Sequence, residues 1–278
     1  KGIEHLFGLP SPLAYLAFII SCLLITKLMV IRFGLRHTAG LTPTLLMLIS
    51  GSLLFAMLLD ASWLYPWDMS GLVLSTLFVV MVLGDIRWPW FLPLAAVAFL
   101  NRESGIFICV WLFAQCLLGD GAEAGRKSPN IWMMAAAGIT ALAGLAETEW
   151  LRAHLMIREL GPELDLQRGL ITPGQTAWFH WKLGDNLAGL LSSLTSLSAH
   201  MTMIFYILPL AGITVAVALG VRRYPVYTAL CLAYGLNLGF IFLFGIVEES
   251  RVMIEVIPFF SVFLPFVASG GNLPYRAA

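Results

Sequence analysis

The stretch WPWFLPLAAVAFLNRESGIFICVWLFAQCLLG, residues Trp88–Gly119, is apolar except for the polar turn Asn101–Gly105. Each half holds about a dozen apolar residues, and a helix of that length covers only about 20 Å of a hydrocarbon layer about 30 Å thick. The polar turn is therefore predicted to lie below a membrane surface. Because a charge at that depth costs about 3 kcal/mol, Arg102 and Glu103 are expected to have partners and a function.

The composition supports this interpretation. Hydrophobic residues make up 59% and charged residues 12% of the 278 positions, with a mean hydropathy of +0.88, which is typical of a polytopic helical membrane protein in contact with lipids. The formal net charge is zero, without a basic stripe, so no nucleic-acid partner is expected. The four cysteines lack metal-ligand spacing, so we predict no metal site, and no cofactor motif is found.

Nine apolar runs, bounded by charged or turn-forming residues, predict nine helices, two of them short. The expected fold class is all-α, a single polytopic transmembrane domain over residues 1–278 with eight or nine spans. The predicted helices cover about 11–31, 42–59, 69–84, 88–100, 105–119, 130–149, 201–220, 226–247 and 252–268.

The basic residues indicate an orientation. They concentrate in alternate connections, namely at Arg32, Arg36, Arg87, Arg126, Lys127, Arg222, Arg223 and Arg276. By the positive-inside rule these connections are cytoplasmic, which puts the Lys1 end outside and the Ala278 end inside. The polar turn, the aromatic segment before Asp68 and the connection around Glu249 are then expected on the outer side.

Segment 150–186 is predicted to be the one sizeable extracytoplasmic piece. After it, residues 187–199 alternate leucines and serines in a pattern that favours an amphipathic helix, lying in the interface or packed on the bundle. Lys27 lies within the first apolar run, near its inner end, and we expect its ammonium to snorkel to the cytoplasmic interface.

Partners for the polar turn are offered by the connection between the last two predicted helices. We predict that Arg102 pairs with Glu249 or Glu255, and that Glu103 pairs with Arg251. Two interpretations stay open. The charges could simply hold two hairpins together. Alternatively, one or both arginines bind a phosphate or pyrophosphate through the planar guanidinium, which leaves a carboxylate to act as a general base.

Asp68 marks another candidate site, at the start of the third predicted helix. A carboxylate in that position can cap the helix and complement its dipole, which is the simpler explanation. However, Asp60 and Asp68 flank the aromatic residues Trp63, Tyr65 and Trp67. Since aromatic faces stack on sugar rings, a saccharide or lipid head group is the alternative, although Trp and Tyr are also the ordinary residues of a membrane interface.

Three motifs together resemble a known group of proteins. They are Tyr65-Pro66-Trp67-Asp68 before an apolar helix, Leu100–Gly105 between short helices, and Glu249-x-Arg251 followed by Glu255 and Pro258. This pattern, over about residues 60–120 and 240–265, resembles bacterial polytopic membrane proteins that are similar to the GT-C glycosyltransferases. Those enzymes use polyprenyl-phosphate sugars. The resemblance implies a GT-C-like bundle in a bacterial inner membrane.

The resemblance also implies roles for the site residues. Arg102 and Arg251 would hold the donor phosphate, with Asn101, Glu255 and Trp67 as further binding residues. The catalytic base would be Glu103, Glu249 or Asp68.

Whether the chain is an enzyme is an open question at this stage. GT-C enzymes carry a catalytic acid in the first large outer loop, and here the nearest counterpart is Glu4. The chain starts at Lys1 and not at Met, so an upstream part with that loop is expected under the enzyme hypothesis. The alternative is a non-catalytic structural subunit of a larger membrane complex.

Overall fold

The computed structural model describes residues 11–38, 40–59, 66–118, 130–154, 182–195, 211–212, 214–216, 224–244 and 250–270. Within these ranges all regular secondary structure is helical. The α-helices are α1 Ser11–His37, α2 Leu41–Leu59, α3 Pro66–Leu83, α4 Phe91–Asn101, α5 Ile106–Leu118, α6 Ile131–His154, α7 Leu183–Thr195, α8 Pro225–Phe244 and α9 Leu264–Ala268. Shorter helical pieces are the 3₁₀ turns Trp88–Trp90, Glu103–Gly105 and Ser250–Val256 and the π-helix Phe259–Phe263.

Eight of the nine predicted helices correspond to these elements, so the all-α class is confirmed. The ninth, 201–220, lies almost wholly outside the described residues, as do most of segment 150–186 and Asp60. The predicted amphipathic helix is α7, which begins four residues before the expected start at 187. It packs on α8, where the Asn186 side-chain amide donates to the carbonyl of Phe242 at 2.6 Å.

Among the described residues, four helices are long and apolar enough to cross a membrane by length and composition, and four further apolar stretches are shorter. The four long ones are Leu13–His37, Pro66–Leu83, Ile131–Thr148 and Pro225–Leu243. The shorter apolar ones are Leu41–Ala56, Trp88–Asn101, Glu103–Leu118 and Met253–Ala268. The two short helices on either side of the polar turn are thus as predicted.

Gly105 makes the polar turn compact. Arg102 leaves α4 in an extended conformation, with φ −167° and ψ 158°, and one 3₁₀ turn then leads into α5. A Cβ atom on Gly105 would lie 2.7 Å from the backbone nitrogen of Phe99 and 3.1 Å from the carbonyl oxygen of Ala95. Only glycine permits this close return of the chain onto α4.

Aromatic rings from four helices pack against one another in the centre of the bundle. The Phe91 and Trp111 rings are 4.5 Å apart, and Phe78 meets the edge of Trp111 at 5.5 Å. Phe78 also stacks on Tyr234 at 6.4 Å. Helices α3, α4, α5 and α8 therefore share one core, in which buried aromatic side chains supply much of the apolar contact area.

The helices begin and end at two opposite ends of the bundle. The start of α3 lies beside the end of α4, where Arg102 contacts Asp68, and the end of α6 joins them through Thr148, whose hydroxyl donates to the Phe99 carbonyl at 3.2 Å. We call this the site end. At the other end, the Phe33 and Phe266 rings pack 5.4 Å apart.

The end marked by Phe33 and Phe266 also holds the basic residues of the α1 terminus and of the α3 to α4 connection. These residues are Arg32, Arg36, His37 and Arg87. We call it the basic end. Among the described residues, the charge-bearing polar turn and the cations Arg32, Arg36 and Arg87 thus lie at opposite ends of the bundle. The other basic residues that the sequence placed with them lie outside the described residues, namely Arg126, Lys127, Arg222, Arg223 and Arg276.

Helix α6 packs closely on α4 at a small residue. A Cβ atom on Gly144 would lie 2.1 Å from Cδ2 of the Phe99 ring, whereas one on Gly138, on the same helix, would have no neighbour within 4 Å. The absence of a side chain at Gly144 therefore lets the Phe99 ring sit against the α6 backbone.

We expect Gly144→Ala to lower the free energy of unfolding by about 1–3 kcal/mol, because the methyl group overlaps the Phe99 ring and forces repacking. Gly138→Ala is the matched control and should raise it by about 0.5–1 kcal/mol, since alanine loses less backbone entropy in a helix. Denaturant titration of the detergent-solubilised protein, followed by circular dichroism, measures both. Equal effects of the two substitutions would contradict this packing.

Candidate functional site

Arg102 joins two carboxylates from different elements. Its Nη2 lies 3.3 Å from Oδ1 of Asp68 in the first turn of α3. Its Nη1 lies 3.8 Å from Oε1 of Glu255 in the 3₁₀ segment Ser250–Val256. We call Asp68, Arg102 and Glu255 the charge cluster. It connects α3, α4 and the last helical segment at the site end.

The charge cluster is largely removed from solvent. The side chain of Asp68 is 0% exposed, that of Glu255 9% and that of Arg102 23%. With both carboxylates ionised, the cluster carries one net negative charge, since one guanidinium faces two acids. This balance disfavours binding of a further anion by Arg102 alone, because the phosphate would meet two carboxylates at the same cation.

Local structure positions each carboxylate. Asp68 lies in the first turn of α3, where the backbone N–H groups and the helix dipole favour a negative charge, as the sequence predicted. One turn further, a Cβ atom on Gly71 would lie 2.8 Å from Oε1 of Glu255. The glycine thus leaves the space that Glu255 occupies. Ser104, from the polar turn, lines the same cavity as Glu255.

Asn101 fastens the end of α4 to the first turn of α3. Its Nδ2 donates to the backbone carbonyl of Trp67 at 2.9 Å, and its Oδ1 accepts a hydrogen bond from the Ser70 hydroxyl. The Trp67 side chain itself is exposed at the surface. Asn101 is therefore a positioning residue for the charge cluster, and Trp67 is the aromatic surface beside it.

A small cavity, lined mainly by apolar residues, adjoins Glu255. It has a volume of about 40 Å³, and its polar lining comes from Ser75, Asn101, Ser104, Tyr234, Asn237 and Glu255. Within the described residues, the buried Tyr234 hydroxyl has no hydrogen-bond partner. A cavity of this size admits a water molecule or a hydroxyl group. A larger ligand would have to contact the cluster from its exposed side, at Arg102.

The predicted pairing of Arg102 with Glu255 is confirmed. The contact of Arg102 with Asp68 was not predicted, because Asp68 was explained as a helix cap. Glu249 lies outside the described residues, and so does the side chain of Arg251. The pairing of Glu103 with Arg251 stays a prediction; Glu103 itself is half-buried in the polar turn.

Asp68 was a candidate from the sequence, but its neighbours in the site, Gly71, Ser75 and Asn237, were missed. Asp68, Gly71 and Ser75 lie on one face of α3, at positions i, i+3 and i+7, and all three face the cluster or the cavity. That spacing was a usable signal. Asn237 was another, since it is the one amide in the apolar run of α8.

In the part of the chain that the structure describes, no group of three His, Cys, Asp or Glu side chains could hold a metal ion. No protein-family model matches the chain, and no curated protein or solved structure matches it either. The role of the charge cluster is therefore inferred from its geometry.

We expect Arg102→Met to lower the free energy of unfolding by about 3–5 kcal/mol, because it leaves two buried carboxylates without their cation; the residual exposure of Arg102 places the effect toward the lower figure. Adding Asp68→Asn and Glu255→Gln should restore most of the loss. Denaturant titration of the single and triple variants measures this.

The matched control is Lys182→Met, which removes the exposed ion pair with Asp185, 2.9 Å between Nζ and Oδ2. It should change the free energy of unfolding by less than about 1 kcal/mol. A triple variant no more stable than Arg102→Met would contradict the proposed charge balance.

Proposed function

We propose that the chain is an integral protein of a bacterial inner membrane, with a GT-C-like arrangement, and that it transfers a sugar from a polyprenyl-phosphate donor at the site end, on the outer face. The membrane embedding is supported by four helices with the length and composition of membrane spans. The orientation is supported by the arginines gathered at the basic end.

The charge cluster is the observation that carries a functional role. A buried ion pair contributes little net stability, and apolar residues of similar volume often serve as well or better. At membrane depth the cost of such charges is higher still. Asp68 and Glu255 nevertheless lie within 4 Å of Arg102 inside an apolar bundle. Because this arrangement contributes little net stability to the fold, it supports a chemical role for the site end.

The geometry favours a role for the charge cluster in taking up the proton of the acceptor hydroxyl. Arg102 positions the two carboxylates, and the net negative charge favours taking up a proton over binding phosphate. Glu255 faces a cavity that admits one hydroxyl group. In the proposed reaction the Glu255 carboxylate takes the proton of the acceptor hydroxyl as its oxygen bonds to the anomeric carbon. The bond from that carbon to the donor oxygen breaks, and polyprenyl phosphate leaves with the electron pair.

The other proposed site residues would bind the sugar or the donor phosphate, or serve as alternative bases. The exposed Trp67 ring offers a stacking surface for a sugar. The donor phosphate requires a cation other than Arg102, and Arg251 is the candidate that the sequence offers. Asp68, Glu103 and Glu249 are retained as alternative bases, with Asp68 the least accessible of them because its side chain is fully buried.

A non-catalytic structural subunit is the second candidate. It is supported by the mutual charge compensation in the cluster, since Arg102 lies between two carboxylates and brings three elements together. In this case Asp68, Arg102 and Glu255 serve only to fasten the site end of the bundle, and a larger membrane complex supplies any activity.

Glu255→Gln separates the two candidates. It preserves shape and leaves Arg102 paired with Asp68, so the melting temperature should stay close to that of the wild type. As loss of a general base, it should reduce sugar transfer by at least about 100-fold. The measurement is release of polyprenyl phosphate from a panel of radiolabelled polyprenyl-phosphate hexoses, with the protein reconstituted in liposomes.

The control for this experiment is Asp185→Asn, which removes an exposed carboxylate at the same end and should leave transfer unchanged. Wild-type rates in a folded Glu255→Gln variant would exclude Glu255 as the base. No transfer by the wild type from any donor of the panel would favour the structural subunit.

The orientation makes a separate prediction. In a variant without the four native cysteines, a cysteine in place of Asp185 at the site end should react with a membrane-impermeant maleimide in intact spheroplasts. A cysteine in place of the exposed Ile86, in the connection next to Arg87, should react only after permeabilisation. Mass shifts on a denaturing gel report the labelling, and the reverse pattern would mean that the site end is cytoplasmic.

A further inference from the structure

A second cavity, of about 220 Å³, lies among α1, α2, α3 and the π-helix Phe259–Phe263. Its lining is mainly apolar, with polar contributions from Thr26, Lys27, Ser52, Thr76 and Ser261. We call it the Lys27 cavity. It is separate from the cavity beside Glu255. Thr76 lines the Lys27 cavity and the neighbouring Ser75 lines the cavity beside Glu255, on different sides of α3.

The expectation that Lys27 snorkels to the cytoplasmic interface is wrong. Its Nζ donates to the carbonyl of Leu48 at 3.3 Å and contacts the Ser52 hydroxyl. Leu48 and Ser52 follow the start of α2 by seven and eleven residues, which places them about 10–16 Å from the basic end. The ammonium is therefore directed toward α2 at apolar depth, and not along α1 toward the nearer helix end.

Lys27 differs from Arg102 in its counter-charges. Among the described residues, no carboxylate lies within ion-pair distance of Lys27, whereas Arg102 has two. A carbonyl and a hydroxyl can accept hydrogen bonds from the ammonium, but they do not neutralise its charge. An intramembrane cation is expected to have a charged partner, so this cavity is electrostatically suited to a single negative charge.

Hydrogen-bond donors remain available in the Lys27 cavity. An ammonium has three N–H groups, and the contacts with Leu48 and Ser52 use two of them. In the described part of the chain, the buried Thr26 hydroxyl makes no hydrogen bond. One N–H of Lys27 and the hydroxyl of Thr26 can thus each meet one oxygen of a two-oxygen anion.

The wall opposite α1 is irregular backbone. The last helical segment changes from 3₁₀ at Ser250–Val256 to π at Phe259–Phe263, after Pro258, and Ser261 of the π-helix lines the cavity. At membrane depth, irregular backbone is tolerated where it is buried in protein or lines a cavity. Short π-helices also occur frequently at functional sites. The π-helix and Lys27 therefore lie at the same cavity, and both indicate a functional site there.

We propose that the Lys27 cavity binds the monoanionic head group of a membrane amphiphile, through the shared chemistry of a carboxylate or a phosphodiester. The volume equals about seven water molecules at about 30 Å³ each, enough for the charged group and several carbons. Ser52 is exposed and Lys27 half-buried, so the cavity opens between α1 and α2, where the hydrocarbon chain leaves into the bilayer. This inference rests on the proposed membrane embedding, but not on sugar transfer.

The test uses the full chain in phosphatidylcholine nanodiscs, with oleate, dioleoyl phosphatidylglycerol or uncharged oleyl alcohol added as probes. Native mass spectrometry counts bound probe molecules over a concentration series. The wild type should bind one equivalent of oleate or phosphatidylglycerol more tightly than oleyl alcohol. Preference for oleate identifies the carboxylate as the ligand group, and preference for phosphatidylglycerol identifies the phosphodiester.

Lys27→Met should weaken binding of the anionic probe by at least about tenfold, as expected for the loss of one charge-assisted hydrogen bond. Thr26→Val should weaken it less, and Lys27→Arg should retain it, so the proposal stays testable if the methionine variant does not fold. Arg32→Met removes a cation nearer the end of the same helix and should bind as the wild type does. Glu255→Gln should also bind normally, whether or not it transfers sugar.

Three results would overturn the proposal. One is equal affinity of the wild type for the anionic probes and for oleyl alcohol. Another is undiminished anion binding by a folded Lys27→Met variant. The third is an equal loss in Arg32→Met, which would indicate general attraction of anions to the basic end in place of a site at Lys27.

Discussion

The bundle depends on the requirement that Arg102 has counter-charges where it leaves α4. A guanidinium cannot lose its proton at any relevant pH, so this position can be stabilised only by bringing acids to it. Asp68 and Glu255 come from the start of α3 and from the last helical segment, which fixes both elements against the polar turn. Gly71 follows from the same requirement, since a side chain there would meet the Glu255 carboxylate, whereas Gly105 lets the polar turn return onto α4.

Two cations in one bundle therefore have different surroundings. Arg102 faces two carboxylates, whereas the described neighbours of Lys27 are hydroxyls, a carbonyl and apolar side chains. Helix α3 separates them, with Ser75 and Thr76 on different sides. The first environment favours keeping a proton acceptor in place, and the second favours receiving an anion. A single apolar helix thus separates two sites of opposite electrostatic character.

The sequence predicted the parts of this structure that contrast with their surroundings. The polar turn and the pairing of Arg102 with Glu255 were accessible because charges are rare in apolar runs, and each demands a partner. The contact with Asp68 was missed because a helix cap explained that residue without any long-range contact. The conformation of Lys27 was predicted wrongly, since its alkyl chain can reach either the interface or α2, and the choice depends on acceptors at Leu48 and Ser52. Neither the contact of Arg102 with Asp68 nor that of Lys27 with α2 can be recognised from the local sequence pattern.

The charge balance also constrains what a reaction at the site end could involve. With both carboxylates ionised, the cluster carries one net negative charge, so a donor phosphate brought to Arg102 would be repelled, and a medium of low dielectric strengthens that repulsion. In the proposed reaction the phosphate must therefore meet its cations elsewhere, or displace the Glu255 carboxylate from the space beside Gly71. The acceptor hydroxyl faces no such penalty, because giving its proton to Glu255 lowers the negative charge of the cluster. For the proposed sugar transfer, these electrostatics therefore favour proton acceptance by the cluster and assign recognition of the donor phosphate to groups outside it.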